Sequence, residues 1–144
     1  MIVVFDTNVI SEIIRENGDF GIVLWSNRYT AEALTTSVCI AELRWGVAQL
    51  PAGRKRAALE IAVDKIEIEA FRDRILPFDA RAAAHYGRIR QARKAAGRPM
   101  SSTDAMIAAI CASRGAALAT RNVKDFEGTG VPLLDPWKDQ RTPE

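Results

Sequence analysis

Apolar residues fall along this chain in blocks, and the spacing inside each block names its element. Ile2-Val3-Val4-Phe5 is continuously apolar and rich in β-branched and aromatic side chains. It lacks the polar alternation of a half-exposed strand and predicts one covered on both faces, as in a parallel sheet. Residues 9–15 follow as a helix, and Asn17-Gly18-Asp19 breaks it with turn chemistry. Phe20, Val23 and Leu24 recur at helical spacing over 20–28, and 34–38 is a short β-prone run. Leu43, Val47 and Leu50 mark a helix over 40–50 that Pro51-Ala52-Gly53 stops. Residues 54–72 predict a long amphipathic helix, with Leu59 and Ile66 inward.

The second half repeats the alternation. Ile75-Leu76-Pro77-Phe78 predicts an edge strand, because proline cannot donate to a central ladder. Asp79 starts a basic helix over 80–95, and Gly97-Arg98-Pro99 ends it. A small, apolar helix over 101–114 stops at Gly115, a buried strand over 116–119 ends on Thr120-Arg121-Asn122, and a last strand covers 131–134. The second buried strand thus ends much as the first does on Asp6-Thr7-Asn8. Strands alternating with helices predict an α/β sandwich, a mostly parallel sheet flanked by helices in three layers. One domain, residues 1–137, and a polar tail, 138–144, account for the chain.

Composition narrows the chemistry. The formal net charge of +2 leaves no strongly basic surface of the kind that binds nucleic acid by bulk charge, so any such contact is local. Cys39 and Cys111 stand in apolar company without paired spacing, which argues for buried thiols and a cytoplasmic protein. With a single histidine, His85, a zinc site is not expected. No leader-like segment or membrane-length apolar run is present, so no membrane partner is expected.

Three acids stand where structure alone does not call for them. Asp6 ends a buried strand, Glu42 opens a helix after a strand, and Asp104 begins the least polar helix. Strand ends and helix starts share one edge of an α/β sheet, so all three can converge there. Each also has a plain reading, Asp6 and Asp104 as helix caps and Glu42 as an early-helix acid favoured by the macrodipole. Clustered together, the carboxylates need a cation between them, and a hard divalent ion, Mg²⁺ or Mn²⁺, suits oxygen ligands. Such a site serves phosphoryl transfer by metal-activated water.

FDTNVISE, SVCIAELRWG, SSTDAMIAAI and LATRNVKDFEGTGV resemble, in order and spacing over almost the whole chain, the four motif blocks of the PIN-domain family. More narrowly, the chain resembles the VapC-type toxins of type II toxin-antitoxin pairs, including their FitB-like branch. The resemblance implies a PIN-like fold and a metal-dependent endoribonuclease held inactive by an antitoxin encoded with it. It carries the metal ligands onto Asp6, Glu42 and Asp104 and gives the hydroxyls of Thr7 and Thr120 a positioning role. The fourth position is assigned to Asp125, the nearest acid that adds charge, with Asn122, nearer the strand end, as the alternative. With Asn122 there, the site has one charge fewer and holds a second metal more weakly. A homodimer, and contact with operator DNA through the antitoxin alone, are also implied.

Two further groups of residues are candidates. Arg88, Arg90, Arg93, Lys94 and Arg98 either steer RNA phosphates toward the acidic site or form a solvated helix face. Trp25 and Trp45 belong either to an antitoxin groove or to the core, and Trp137 packs the C-terminal tail. Two other functions stay open: a dormant partner in antitoxin-dependent, DNA-bound autorepression, and an aspartyl-phosphate phosphotransferase using Asp6, with Lys124 as its lysine.

Overall fold

A computed structural model describes residues 1–29 and 32–139. The helix and strand order is β1 (Val3–Phe5), α1 (Thr7–Ile14), α2 (Phe20–Asn27), β2 (Thr35–Thr36), α3 (Ser37–Ala48), α4 (Arg54–Lys65), β3 (Ile75–Leu76), α5 (Ala80–Ala95), α6 (Ser102–Arg114), β4 (Ala117–Ala119), α7 (Val123–Phe126) and β5 (Leu133–Leu134). Parallel ladders join β1 to β4, β4 to β5 and β2 to β3. Leu34 bridges Val4 in parallel, so the strands line up as β3-β2-β1-β4-β5. β3 therefore lies at the edge, where Pro77 requires it.

The continuous apolar runs are explained by cover on both faces. Val3 and Phe5 pack into one core with Ile10, Ile22, Trp25, Leu43 and Val63, while Val4 and Leu118 point into a second with Ile89, Ile107, Ala108 and Phe126. Successive strand residues alternate sides, so β1 serves both cores. Helices α1, α2 and α4 cover the first face and α5 and α6 the second, and α3 reaches both through Ile40 and Cys39. The expected three-layer sandwich is the observed one.

Several boundaries differ from the sequence reading. α1 starts at Thr7 rather than residue 9, because Asp6 caps it by accepting the Thr7 N–H at 2.8 Å. The strand expected over 34–38 is only two residues long, since Thr36 caps α3 through the Cys39 N–H at 3.0 Å and turns 37 and 38 into helix. Glu42 thus sits in the middle of α3, not at its opening, and the macrodipole reading does not apply to it. The long helix over 54–72 is α4 followed by a π-helical turn, Ile66–Ala70. Gly115 closes α6 with φ of 61°, a left-handed conformation suited to glycine. Of the tail, Lys138 and Asp139 are described, with both N–H groups donating to Asp135 O, and 140–144 lie outside the described residues.

Candidate active site

The parallel β1 and β4 end side by side, and their last residues build the floor of the site. The Asp6 N–H donates to Ala119 O at 2.9 Å, and Thr120 N–H to Leu134 O at 2.9 Å. This places the Thr120 hydroxyl against Asp6, donating to Oδ2 at 2.7 Å. Asn8 Nδ2 donates to Asp6 Oδ2 at 3.3 Å and to Thr120 Oγ1 at 3.2 Å, while its Oδ1 accepts the Arg121 N–H at 3.1 Å. Thr120 Oγ1 also accepts the Asn122 N–H at 3.0 Å. Asp6 is therefore both helix cap and centre of a hydrogen-bonded web.

The other two acids arrive from helices. Glu42, on the second turn of α3, accepts the Thr7 hydroxyl at 2.7 Å. Asp104 lies in the first turn of α6, and the capping role there belongs to Ser101, whose Oγ accepts the Asp104 N–H at 3.1 Å. Asp6, Glu42 and Asp104 line one cavity of about 380 Å³ together with Thr7, Asn8, Ser11, Glu12, Arg121, Asn122 and Trp137. Three residues far apart in sequence meet because the carboxyl end of β1, the first half of α3, which follows β2, and the first turn of α6, which leads into β4, share one edge of the sheet.

Their titration reflects this crowding. Burial pushes the Asp6 carboxyl up from its ordinary value, against the opposing bonds from Thr120, Thr7, Cys39 and Asn8. Burial and the charge of Asp6 raise Glu42, with the Thr7 hydroxyl opposing. Asp104 is pushed up to about 6 by burial and then by the charges of Asp6, Asp125 and Glu42. Burial raises all three acids, the negative neighbours add to it at Glu42 and Asp104, and a cation among them offsets that cost. Ligand atoms of Asp6, Cys39 and Glu42 lie within 4.8 Å of one another. The Cys39 thiol is buried, pushed up to about 12, and directed at Asp6 Oδ1 at 3.8 Å. At neutral pH it stays a thiol, so the donor set is oxygen and fits a hard divalent cation such as Mg²⁺ or Mn²⁺.

The remaining sequence candidates divide. Asn122 lines the cavity, whereas Asp125 is exposed on α7 and reaches the site through its charge on Asp104. Arg93 departs from the expected basic face: it is buried, and its guanidinium donates to the carbonyls of Arg98, Lys124 and Glu127 at 2.7, 3.2 and 2.6 Å. Its cluster of charged neighbours concealed this role in the sequence. Arg88 and Arg90 remain exposed on α5, beside His85 and Tyr86, and Arg98 bonds Lys124 O and Glu127. Trp25 is core, packed on Phe5 and Tyr29, while Trp45 is 67% exposed. Among the described residues lining the cavity there is no lysine, the group that aspartyl-phosphate chemistry would require.

Sequence reasoning missed Arg121 and Trp137. Trp137 is a wall of the cavity, with the Arg121 guanidinium 5.1 Å from its ring centre. The repeated strand ending Thr120-Arg121-Asn122 was the available signal for the arginine; nothing local marked the tryptophan.

Among the described residues, no helix is long and apolar enough to cross a membrane. Comparison with known proteins agrees with the architecture. Residues 3–130 match the model of the PIN domain. The chain is 36% identical over 138 residues to the toxin FitB of Neisseria gonorrhoeae, covering 95% of this chain and 99% of that protein. It is 34% identical over 137 residues to the VapC ribonuclease Y4jK of Sinorhizobium fredii, covering 94% and 98%. The crystal structure of FitAcB from Neisseria gonorrhoeae superposes with a TM-score of 0.86 at 34% identity, over 94% of this chain and 99% of that one. DNA-bound VapBC from Salmonella typhimurium gives 0.78 at 28% identity, over 94% and 98%. With the family model spanning most of its length and its acids gathered at one sheet edge, this chain belongs to the PIN-domain family, in its VapC-type, FitB-like branch.

Proposed function

We propose that this protein is a ribonuclease toxin of a type II toxin-antitoxin pair, and that Mg²⁺ or Mn²⁺ is required for its cleavage of RNA. The observation that carries the reading is the convergence of Asp6, Glu42 and Asp104 in one cavity with all three pKa values raised. Relatives named as ribonucleases and toxins, and neighbours solved as toxin-antitoxin complexes, support it.

In this reading the carboxylates of Asp6, Glu42 and Asp104 hold the cation, with Asp125 or Asn122 in a fourth position. A divalent ion supplies charge neutralisation at the phosphodiester and makes water a competent nucleophile near neutral pH. The protein does the positioning. Thr120 and Asn8 fix the orientation of Asp6 Oδ2 and favour its charged form against burial, and the Thr7 hydroxyl fixes Glu42 Oε1. Asn122 is the better-placed fourth residue because it shares the cavity and is tied to Thr120, while Asp125 adds field from outside. Arg88, Arg90 and Arg98 offer exposed positive charge for RNA phosphates; Arg93 is spent on backbone carbonyls.

The partners follow the same reading: a cognate antitoxin that blocks the site, operator DNA reached through it, a homodimer of this chain, and action in the cytoplasm. The neighbouring FitAB and VapBC structures bound to DNA support the first two. The test is a Mg²⁺ and Mn²⁺ titration of antitoxin-free protein against total cellular RNA, alongside Asp6→Asn and Asp104→Asn. Discrete cuts that need metal and are made by wild type alone are the expected result. Intact RNA after incubation with folded wild type overturns it.

A further inference from the structure

The acidic cavity has one cationic side chain among the described residues that line it, Arg121, and one aromatic, Trp137, and the two are in contact. Both are held in place. The Arg121 N–H is tied to Asn8 Oδ1, within the web that fixes Asp6, and Asn122 beside it is tied to Thr120. The Trp137 N–H donates to Asp135 Oδ1 at 2.9 Å, its neighbour Pro136 is buried, and its ring rests against the core that includes Phe5 and Val9. Trp137 remains half-buried rather than enclosed, so part of the indole forms cavity wall.

This arrangement answers an electrostatic problem. A phosphodiester entering a cavity lined by Asp6, Glu12, Glu42 and Asp104 meets a concentration of negative charge, and a cation beyond the metal lowers that barrier. Arg121 supplies a cationic side chain on that cavity's wall. The guanidinium lies over the Trp137 ring, and the part of the indole left open at the cavity wall provides a stacking surface for a base, usable by any base because each has a π-face.

Building on the nuclease reading, we propose that Trp137 and Arg121 form a nucleotide-binding step at the rim of the cavity, Trp137 stacking an unpaired base and Arg121 contacting its phosphate. The pair selects single-stranded RNA, whose bases are free to splay out, over duplex.

The test uses fluorescence anisotropy of a labelled 12-nucleotide oligouridylate and of the same ribose-phosphate strand without bases, in Ca²⁺, with strand integrity checked on a gel. Wild type is expected to prefer the base-bearing strand by roughly tenfold or more, the scale of base–aromatic stacking. Trp137→Leu, which keeps apolar volume but not a ring face, removes that preference while binding the base-free strand as before, and Trp137→Phe restores most of it. Arg121→Ala weakens both strands and reduces the salt dependence of binding by about 0.7 in log–log slope, one phosphate contact, and Arg121→Lys recovers it. In Mg²⁺ cleavage assays the Trp137 change raises KM rather than lowering kcat. A Trp137→Leu variant that still distinguishes the two strands like wild type, or an Arg121→Ala variant with unchanged salt slope, overturns the proposal. Wild type that cuts RNA in Mg²⁺ yet binds both strands equally overturns this inference alone; wild type that neither cuts nor binds RNA overturns the nuclease reading with it.

Discussion

The hydroxyl of Thr120 donates to Oδ2 of Asp6 at 2.7 Å, a bond that joins residues 114 positions apart across the ends of β4 and β1. It is a charge-assisted bond to a buried carboxylate, and the same oxygen of Thr120 accepts from Asn8 and Asn122. Thr120→Val keeps the shape and removes all three contacts. Bonds of this class contribute about 1.5–3 kcal/mol, so urea unfolding should show a loss of that order. Isothermal titration should also show weaker Mg²⁺ binding, because Asp6, already raised by burial, would rise further. Wild-type stability and metal affinity in the variant would refute the role given to this bond.

Asp6→Asn separates structure from chemistry. Asparagine caps helices about as well as aspartate, so α1 should begin where it does now. The buried charge disappears, and the metal-free variant should melt no lower than wild type. Cleavage of RNA in Mg²⁺ should fall by at least roughly a hundredfold, since a catalytic metal supplies several kcal/mol of transition-state stabilisation. A fully active Asp6→Asn protein would remove Asp6 from the site.

Stability should depend on pH in a direction opposite to that of a protein held by salt bridges. Asp104 has its pKa raised from 3.8 to about 6, and Asp6 and Glu42 shift the same way. An acid that binds its proton more tightly folded than unfolded stabilises the fold fully below the unfolded pKa. That contribution is lost as pH rises through the folded one. Metal-free protein should therefore melt at lower temperature at pH 7 than near pH 5. Added Mg²⁺ should raise the melting temperature more at pH 7, where the carboxylates are ionised. Calorimetry with EDTA and with Mg²⁺ at both pH values checks this, and an equal Mg²⁺ increment at the two would contradict it.

Arg93 ties α5 to the segment after β4, through the carbonyls of Lys124 and Glu127 as well as Arg98. Arg93→Leu leaves those acceptors unpaired beside a buried side chain and should cost about 2–4 kcal/mol in urea unfolding. Lysine should not rescue it, having one nitrogen where three acceptors need a planar fork. Arg88→Ala, on the exposed side of the same helix, should change stability by less than about 0.5 kcal/mol while weakening RNA binding. Equal stability effects at the two positions would dismiss the distinction.

The sequence by itself determined the layers and the chemistry of the acids. Continuous apolar runs at Val3–Phe5 and Ala117–Ala119 mark strands buried on both sides, and Gly115 and Asp79 mark helix ends through backbone preferences that need no distant partner. Asp6 and Asp104 were legible because a carboxylate at the end of a buried strand, or at the start of an apolar helix, is locally out of place. The tertiary structure decided where α3 begins, and with it the mid-helix position of Glu42: Thr36 pairs with Leu76 as the last residue of β2 while its hydroxyl caps α3 through the Cys39 N–H. It alone decided that Arg93 is buried while its charged neighbours are solvated, and that Trp137 forms a wall of the site. Periodicity reports which face of its own element a residue occupies, but what that face meets depends on the order β3-β2-β1-β4-β5, an arrangement set by long-range packing that no local pattern carries.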